Sequence, residues 1–296
     1  MYSKRIPILF IICLLFAVNS FAQESGDSTT TNNDWWEKHH HFDLKFFSHE
    51  FEGNPTVSFG YGLSKISLKN FNEDFGKPNM LEMRIGYTTL HNNEDAEILD
   101  YKFHYLFISY FSTDLKGSSN NSGLNTDMWR LGFGRSTGYG YKLGSLAIIP
   151  YHTYSFEWNR LNMKDTPVNP VDKSTTDLFN QAYRFGNSFE GGVRIKLIRN
   201  LMLDAGYERS IIFPRHLFWK WAGSVIIEVA AQSAIDQFVD RIVDSSPYAA
   251  PIVSFVLKNA LSYGIYELRQ EKMNWPFSTV PPLAYNQFKF GFTFVF

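Results

Sequence analysis

The stretch from Gln287 to Phe296 reads Gln-Phe-Lys-Phe-Gly-Phe-Thr-Phe-Val-Phe, with phenylalanine at every second position. Successive side chains of a strand point to opposite faces. This segment therefore has one wholly aromatic face (Phe288, Phe290, Phe292, Phe294, Phe296) and one of mixed small and polar residues. A helix would smear that pattern around its circumference. The same period of two recurs upstream in Val57–Leu63, Leu81–Tyr87, Tyr101–Phe107, Trp129–Phe133, Phe189–Leu197 and Leu203–Tyr207. One set of side chains is aromatic or aliphatic; the other is Gly, Thr, Ser or charged. Leu146–Trp158 also reads as a strand, but its two faces are harder to separate.

Composition agrees with strands and narrows the environment. Aromatic residues make up 17% of the 296, a share that suits pleated surfaces, and 44% hydrophobic content excludes whole-chain disorder. The net charge of −1 supplies no basic field, so nucleic acid is not an expected partner. At the N-terminus, Lys4 and Arg5 precede the apolar run Ile6–Val18, and Ser20-Phe21-Ala22 offers small residues for cleavage before Gln23. Residues 1–22 thus read as a secretory signal peptide, its apolar run too short to span a bilayer. The lone cysteine, Cys13, lies inside it, so the secreted chain is expected to lack thiols and disulfides and to carry about −3. Residues 23–54 follow as a polar leader in which Phe42, Leu44 and Phe46 alternate as a further strand.

An apolar strand face is hidden in the core of a soluble sandwich or turned to lipid in a transmembrane barrel. A terminal strand bearing five alternating phenylalanines favours the second. Signal peptide, Gly/aromatic alternation and the ladder Phe288–Phe296 together resemble a Gram-negative outer-membrane β-barrel, in a style similar to Bacteroidetes proteins. The resemblance covers about residues 55–213 and 284–296 and is to no particular family. It implies outer-membrane lipid as surroundings and the barrel assembly machinery as a partner, with Phe288, Phe290, Phe292, Phe294 and Phe296 as the recognition signal.

Eight strands fall between 55 and 296; a strand at Phe42–Phe46 with a second partner would make ten. Short connections at 92–100, 141–145 and 199–201 read as periplasmic turns, and 64–80, 114–126, 159–187 and 213–283 as outside loops. A tight turn at Arg199–Leu201 predicts pairs summing to 400, which sets Lys196 opposite Asp204 with Arg194 diagonal to Asp204 and Glu208. Glu82, Arg84, Arg130 and Glu190 extend this into a lumenal charge network, either a conduction path or a self-satisfied filling.

Residues 214–272 break the period of two. Val225–Val243 carries Ile227, Ala231, Ala234, Ile235, Phe238 and Ile242 against Glu228, Gln232, Asp236, Asp240 and Asp244, an amphipathic helix. Ser246-Pro247 ends it, and a second, more apolar helix runs from about Pro251 to Gln270. Such a helical hairpin before the last strand can pack on the barrel rim, lie in the membrane interface or bind a protein partner. Arg215, His216, Trp219, Lys220 and Trp221 ahead of it read as an interfacial anchor.

Motifs for chemistry are sparse. His39, His40, His41 and His49 lack the spacing of a metal site, Gly132-x-Gly134-x-x-x-Gly138 departs from a dinucleotide fingerprint, and no cofactor is implied. Tyr139 and Tyr141 read instead as part of an aromatic belt. His152, Ser155 and Glu157 are the one candidate catalytic cluster, but His152 and Ser155 fall on opposite faces of a regular strand. The sequence thus points to a non-enzymatic outer-membrane barrel, structural or partner-binding through its loops and hairpin. A narrow solute channel and an outer-leaflet lipid-modifying enzyme stand as alternatives.

Overall fold

The structure, a computed structural model, describes residues 53–93, 98–116 and 123–296. The segments expected to form a signal peptide (1–22) and a leader strand (Phe42–Phe46), together with Cys13 and the histidines at 39–41 and 49, lie outside the described residues. Eight antiparallel strands close into one barrel in sequence order: β1 (Asn54–Leu68), β2 (Asn79–Asn93), β3 (Ile98–Ser112), β4 (Thr126–Leu143), β5 (Leu146–Met163), β6 (Tyr183–Ile198), β7 (Leu201–Ile212) and β8 (Leu283–Val295). Among the described residues three α-helices accompany them: α1 (Pro170–Thr176) between β5 and β6, then α2 (Phe218–Ser245) and α3 (Ala250–Glu271) between β7 and β8.

The cross-strand register fixes the barrel's shear. Starting at Thr56, the partners run Gly86, Tyr105, Gly134, Ser155, Ser188, Ser210 and Tyr285, and the path returns to β1 at Ile66, ten residues further along. A shear slightly larger than the strand number tilts the strands by about 40° and leaves an interior that side chains fill. The β1–β8 seam is fully paired, so the sheet has no open edge.

Alternation sorts every strand into an inner and an outer row. Val57, Phe59, Tyr61 and Leu63 of β1, Leu81 and Ile85 of β2, Leu106 and Ile108 of β3 and the phenylalanines of β8 all point outward, and most are exposed. Leu106 retains 68% exposure. The inner row holds the buried charges. Gly132 and Gly134 belong to it because aromatic rings fill the space beside them: a Cβ at Gly132 would meet the Phe107 ring and one at Gly134 the Tyr105 ring.

The β6–β7 hairpin corrects the expected register. Ile198 pairs with Leu201 across a two-residue turn, but a bulge between Lys196 and Ile198 then shifts the ladder. One extra residue on the bulged strand moves every later pair. Arg194 therefore faces Asp204, whereas Lys196 faces Met202 and takes no part in the charge network.

Candidate functional site

The barrel interior is sealed at three levels. Toward the long-loop end, Phe75, Met80, Phe111, Met128, Leu161 and Tyr285 belong to one apolar cluster. Toward the turn end, Leu99, Tyr101, Phe103, Tyr105 and Ile149 belong to another. Between them lies a charged layer drawn from six strands. Lys289 Nζ reaches Glu82 at 2.5 Å, Glu208 at 2.8 Å and Glu190 at 2.9 Å. Arg84 donates to Glu82 (2.7 Å) and Glu190 (2.5 Å), and Arg130 to Glu82 (2.7 Å), Glu157 (3.3 Å) and Glu208. Ser210, Asn159 and Tyr151 donate to carboxylates that the cations leave partly free. Below this layer Arg194 pairs with Asp204, which also accepts from Thr293 at 2.6 Å. The Arg194 guanidinium sits 4.8 Å from the centre of the Tyr101 ring and 5.1 Å from that of Tyr151.

Buried ions are tolerated only when paired and hydrogen-bonded, and this layer meets that condition by linking opposite walls. The cavity left among Ser58, Arg84, Tyr151, Arg194 and Lys289 measures about 20 Å³, room for roughly one water. Sequence reasoning located Glu82, Arg84, Arg130, Glu190, Arg194, Asp204 and Glu208 here. It missed Lys289 and Glu157. The parity of the terminal strand could have found Lys289, since it lies opposite the phenylalanine face.

The outer wall carries a second polar arrangement. One rung of the ladder runs His104, Arg135, Tyr154, Phe189, Arg209, Asn286; the next runs Lys102, Thr137, His152, Gly191, Tyr207, Phe288. All of these face outward, and apart from Phe189, Gly191 and Phe288 they are polar, where the rest of the outer wall shows mostly apolar side chains. Helices α2 and α3 cover much of this stripe. His152 Nε2 lies 2.7 Å from Ser262 Oγ, and Tyr266 donates to Asn286 Oδ1 at 2.8 Å. Lys258 reaches Thr137 at 3.5 Å, and the Arg209 guanidinium stacks 4.7 Å from the Tyr263 ring. Gly191 leaves the space that Asn259 fills.

The hairpin starts at the long-loop end and runs down the wall rather than capping the mouth. Trp221 packs on Phe156 and Phe185 near the top, while Tyr141 beside the β4–β5 turn donates to the Tyr248 carbonyl at the hairpin tip. Its polarity is the reverse of a water-soluble helix pair. Ser224, Glu228, Gln232 and Asp236 recur every four residues along α2 and meet α3: Arg269 bonds Ser224 (2.9 Å) and Glu228 (3.0 Å), Gln232 bonds Ser262 (3.2 Å), and Lys258 pairs with Asp236. Ile226, Ile227 and Phe238 of α2 and Ile252, Val256 and Leu268 of α3 face away and are exposed.

Other expected sites are divided. The anchor group splits: Trp219 is 83% exposed and Arg215 exposed, Lys220 donates to the Ser278 carbonyl at 3.0 Å, and Trp221 is half-buried against the wall. Tyr139 and Tyr141 belong to the helix-covered wall rather than to an open belt. Ser155 points into the lumen toward Tyr105 and Glu157 lies in the charged layer, whereas His152 is on the outer face. No group of three metal-ligating side chains occurs among the described residues.

The long loops are tied to one another. Asp172 of α1 accepts from the Asn72 and Glu73 amides, Glu73 accepts from the Val168 and Asn169 amides, and Asp165 accepts from Asn125. Although slight burial opposes it, the carboxylates of Asp114 and Asp127 hold the Lys164 ammonium above its ordinary pKa.

A closed eight-stranded barrel with charges inside and an apolar exterior is a transmembrane β-barrel. No family model matches the chain, and no curated protein matches its sequence. Among solved structures, Neisserial surface protein A is 12% identical, with 83% of this chain and 100% of that one covered at a TM-score of 0.40. Ail, the attachment invasion locus protein of Yersinia pestis, is 8% identical, with 83% and 99% covered at a TM-score of 0.31. Likeness at this level adds nothing to what strand count and register establish.

Proposed function

We propose that the chain is a non-conducting barrel of the Gram-negative outer membrane that presents a braced loop platform at the cell surface. The sealed lumen carries this reading, because a solute path would have to break the charged layer and both apolar layers at once. The cross-braced loops supply a preformed surface at one end, with Val168, Val171 and Leu178 exposed on it for a protein partner. Their length and the short turns at the opposite end favour an outside position for that end. The phenylalanine ladder of β8 serves as the signal for the assembly machinery.

The test expresses the whole chain in a Gram-negative host, compares boiled and unboiled outer-membrane fractions on gels, and places the purified protein in planar bilayers. A mobility shift with no unitary conductance is expected. Discrete conductance steps would replace this reading with that of a channel, and unshifted protein in the periplasm would overturn the membrane assignment.

A further inference from the structure

We infer that the outward face of the α2–α3 hairpin is embedded in the bilayer and contacted by lipid acyl chains, so that the hairpin gives an otherwise polar strip of barrel wall a lipid-compatible exterior. This rests on the membrane reading above and extends it to the insert.

Three observations point to hydrocarbon as the occupant. The first is the direction of the polar groups. In water a helix pair buries its apolar stripe and exposes its charges. Here Glu228, Gln232, Lys258, Ser262 and Arg269 are turned toward the partner helix or the barrel. Polar side chains facing inward across helices, with apolar ones outward, is the arrangement that lipid favours. The second is the wall beneath. Thr137, His152, Tyr154, Arg209 and Asn286 sit mid-strand on the outer surface, where uncovered polar side chains would face acyl chains at a cost of several kcal/mol per unsatisfied group. The hairpin supplies partners for His152 and Asn286 directly.

The third is length. From Trp221 to Ile235 the only charge on α2 is Glu228, and from Ile252 to Tyr266 the only one on α3 is Lys258; both point inward. Each window of fifteen residues spans about 22 Å, against an apolar band about 25 Å tall on barrels of this kind. Charges reappear beyond the windows: Arg215 and Lys220 at the top, Asp240, Arg241 and Asp244 toward the tip. No helix among the described residues is by itself long and apolar enough to cross a membrane. Glu228 and Lys258 lower the apolarity of the two helices, but both charges are satisfied by the helix–helix seam.

The experiment uses the whole chain with Cys13→Ser, single cysteines at Ile227, Val256 and Ala260 labelled with an environment-sensitive fluorophore, and folding checked by the gel shift. References are Phe290→Cys on the barrel wall and Val171→Cys on α1. The protein is folded into dilauroylphosphatidylcholine vesicles, and quenching is read with a nitroxide on the lipid chain and with aqueous iodide. The hairpin sites are expected to match Phe290, with at least a threefold preference for the lipid quencher, while Val171 shows the opposite. Iodide quenching at the hairpin sites with Phe290 still lipid-quenched would overturn the inference and leave the barrel in place. Protection from both quenchers would mean a second protein surface occupies the face, which also overturns it. Iodide quenching at Phe290 would instead sink the membrane reading. A labelled variant that fails to fold is replaced by Ile226→Cys or Ile252→Cys on the same face.

Discussion

Replacing Lys289 by methionine removes an ammonium that lies within 3 Å of three carboxylates. The layer would then hold Glu82, Glu157, Glu190 and Glu208 with only Arg84 and Arg130 to balance them. Breaking one buried ion pair costs about 3–5 kcal/mol, because the abandoned partner stays charged and dry. The three contacts share one cation, so their losses do not add. We take about 4 kcal/mol, close to a thousandfold in the folding equilibrium. With a urea slope of about 2–3 kcal/mol/M, the midpoint falls by about 1.5 M. Tryptophan fluorescence of protein refolded in detergent micelles reads the transition. The matched control is Lys196→Met, which deletes an equal charge from the neighbouring wall, opposite Met202 and outside the layer, and is expected to stay within about 0.5 kcal/mol. Adding Glu208→Gln to Lys289→Met should restore part of the loss. Equal midpoints for the two lysine variants would refute the claim that the charged layer stabilises the barrel by linking its walls.

Other outcomes follow from the same geometry. Gly132→Ala would drive its methyl against the Phe156 carbonyl and the Phe107 ring, lowering stability by about 1–3 kcal/mol in the same urea assay. Glu228→Leu or Arg269→Leu alone strands a buried charge and should loosen the hairpin, seen as faster protease cleavage within 218–271; the double replacement should restore protection. If the double variant is cleaved as fast as either single, the pair is not what holds the helices together. Phe296→Ala should reduce the heat-shifted outer-membrane fraction in cells while leaving refolding in detergent unchanged, and equal yields in cells would remove the ladder from the assembly signal.

Most of the barrel is legible in the sequence because a period of two survives even where individual residues are atypical. Strand number, the helical insert and seven of the nine ions named in the lumen follow from it. On β3 the expected faces are reversed: Tyr101, Phe103, Tyr105 and Phe107 fill the lumen, and Leu106 and Ile108 face out. Three further features do not follow. On β5 the outer row includes His152, Tyr154 and Phe156, buried beneath the helices, so both faces look mixed and Glu157 cannot be placed. The bulge beside Lys196 has no strong residue signature, and only together with the two-residue turn at Ile198–Leu201 does it exchange Lys196 for Arg194 as the partner of Asp204. The hairpin is the third. An amphipathic pattern shows that a helix has two faces, but not which medium meets each. Glu228 and Gln232 read as a water-facing stripe until the wall residues they help to cover are known.

The closed seam also orders events in time. Every neighbouring pair of strands is consecutive in the chain except the last, where Ser64 meets Gln287 across 223 positions. Until β8 arrives, β1 and β7 both present unpaired edges, the state in which β proteins aggregate. The hairpin stands directly between β7 and β8, and helices form from local contacts within about a microsecond. Once folded, its ends lie together: Lys220 bonds the Ser278 carbonyl, and Met273 packs in the same cluster as Phe213 and Ala284. A connection of some seventy residues then behaves as a flexible tether of about twenty, lowering the entropy cost of closure by about 1 kcal/mol. The insert thus acts as a splint that delivers the final strand to the gap it must fill.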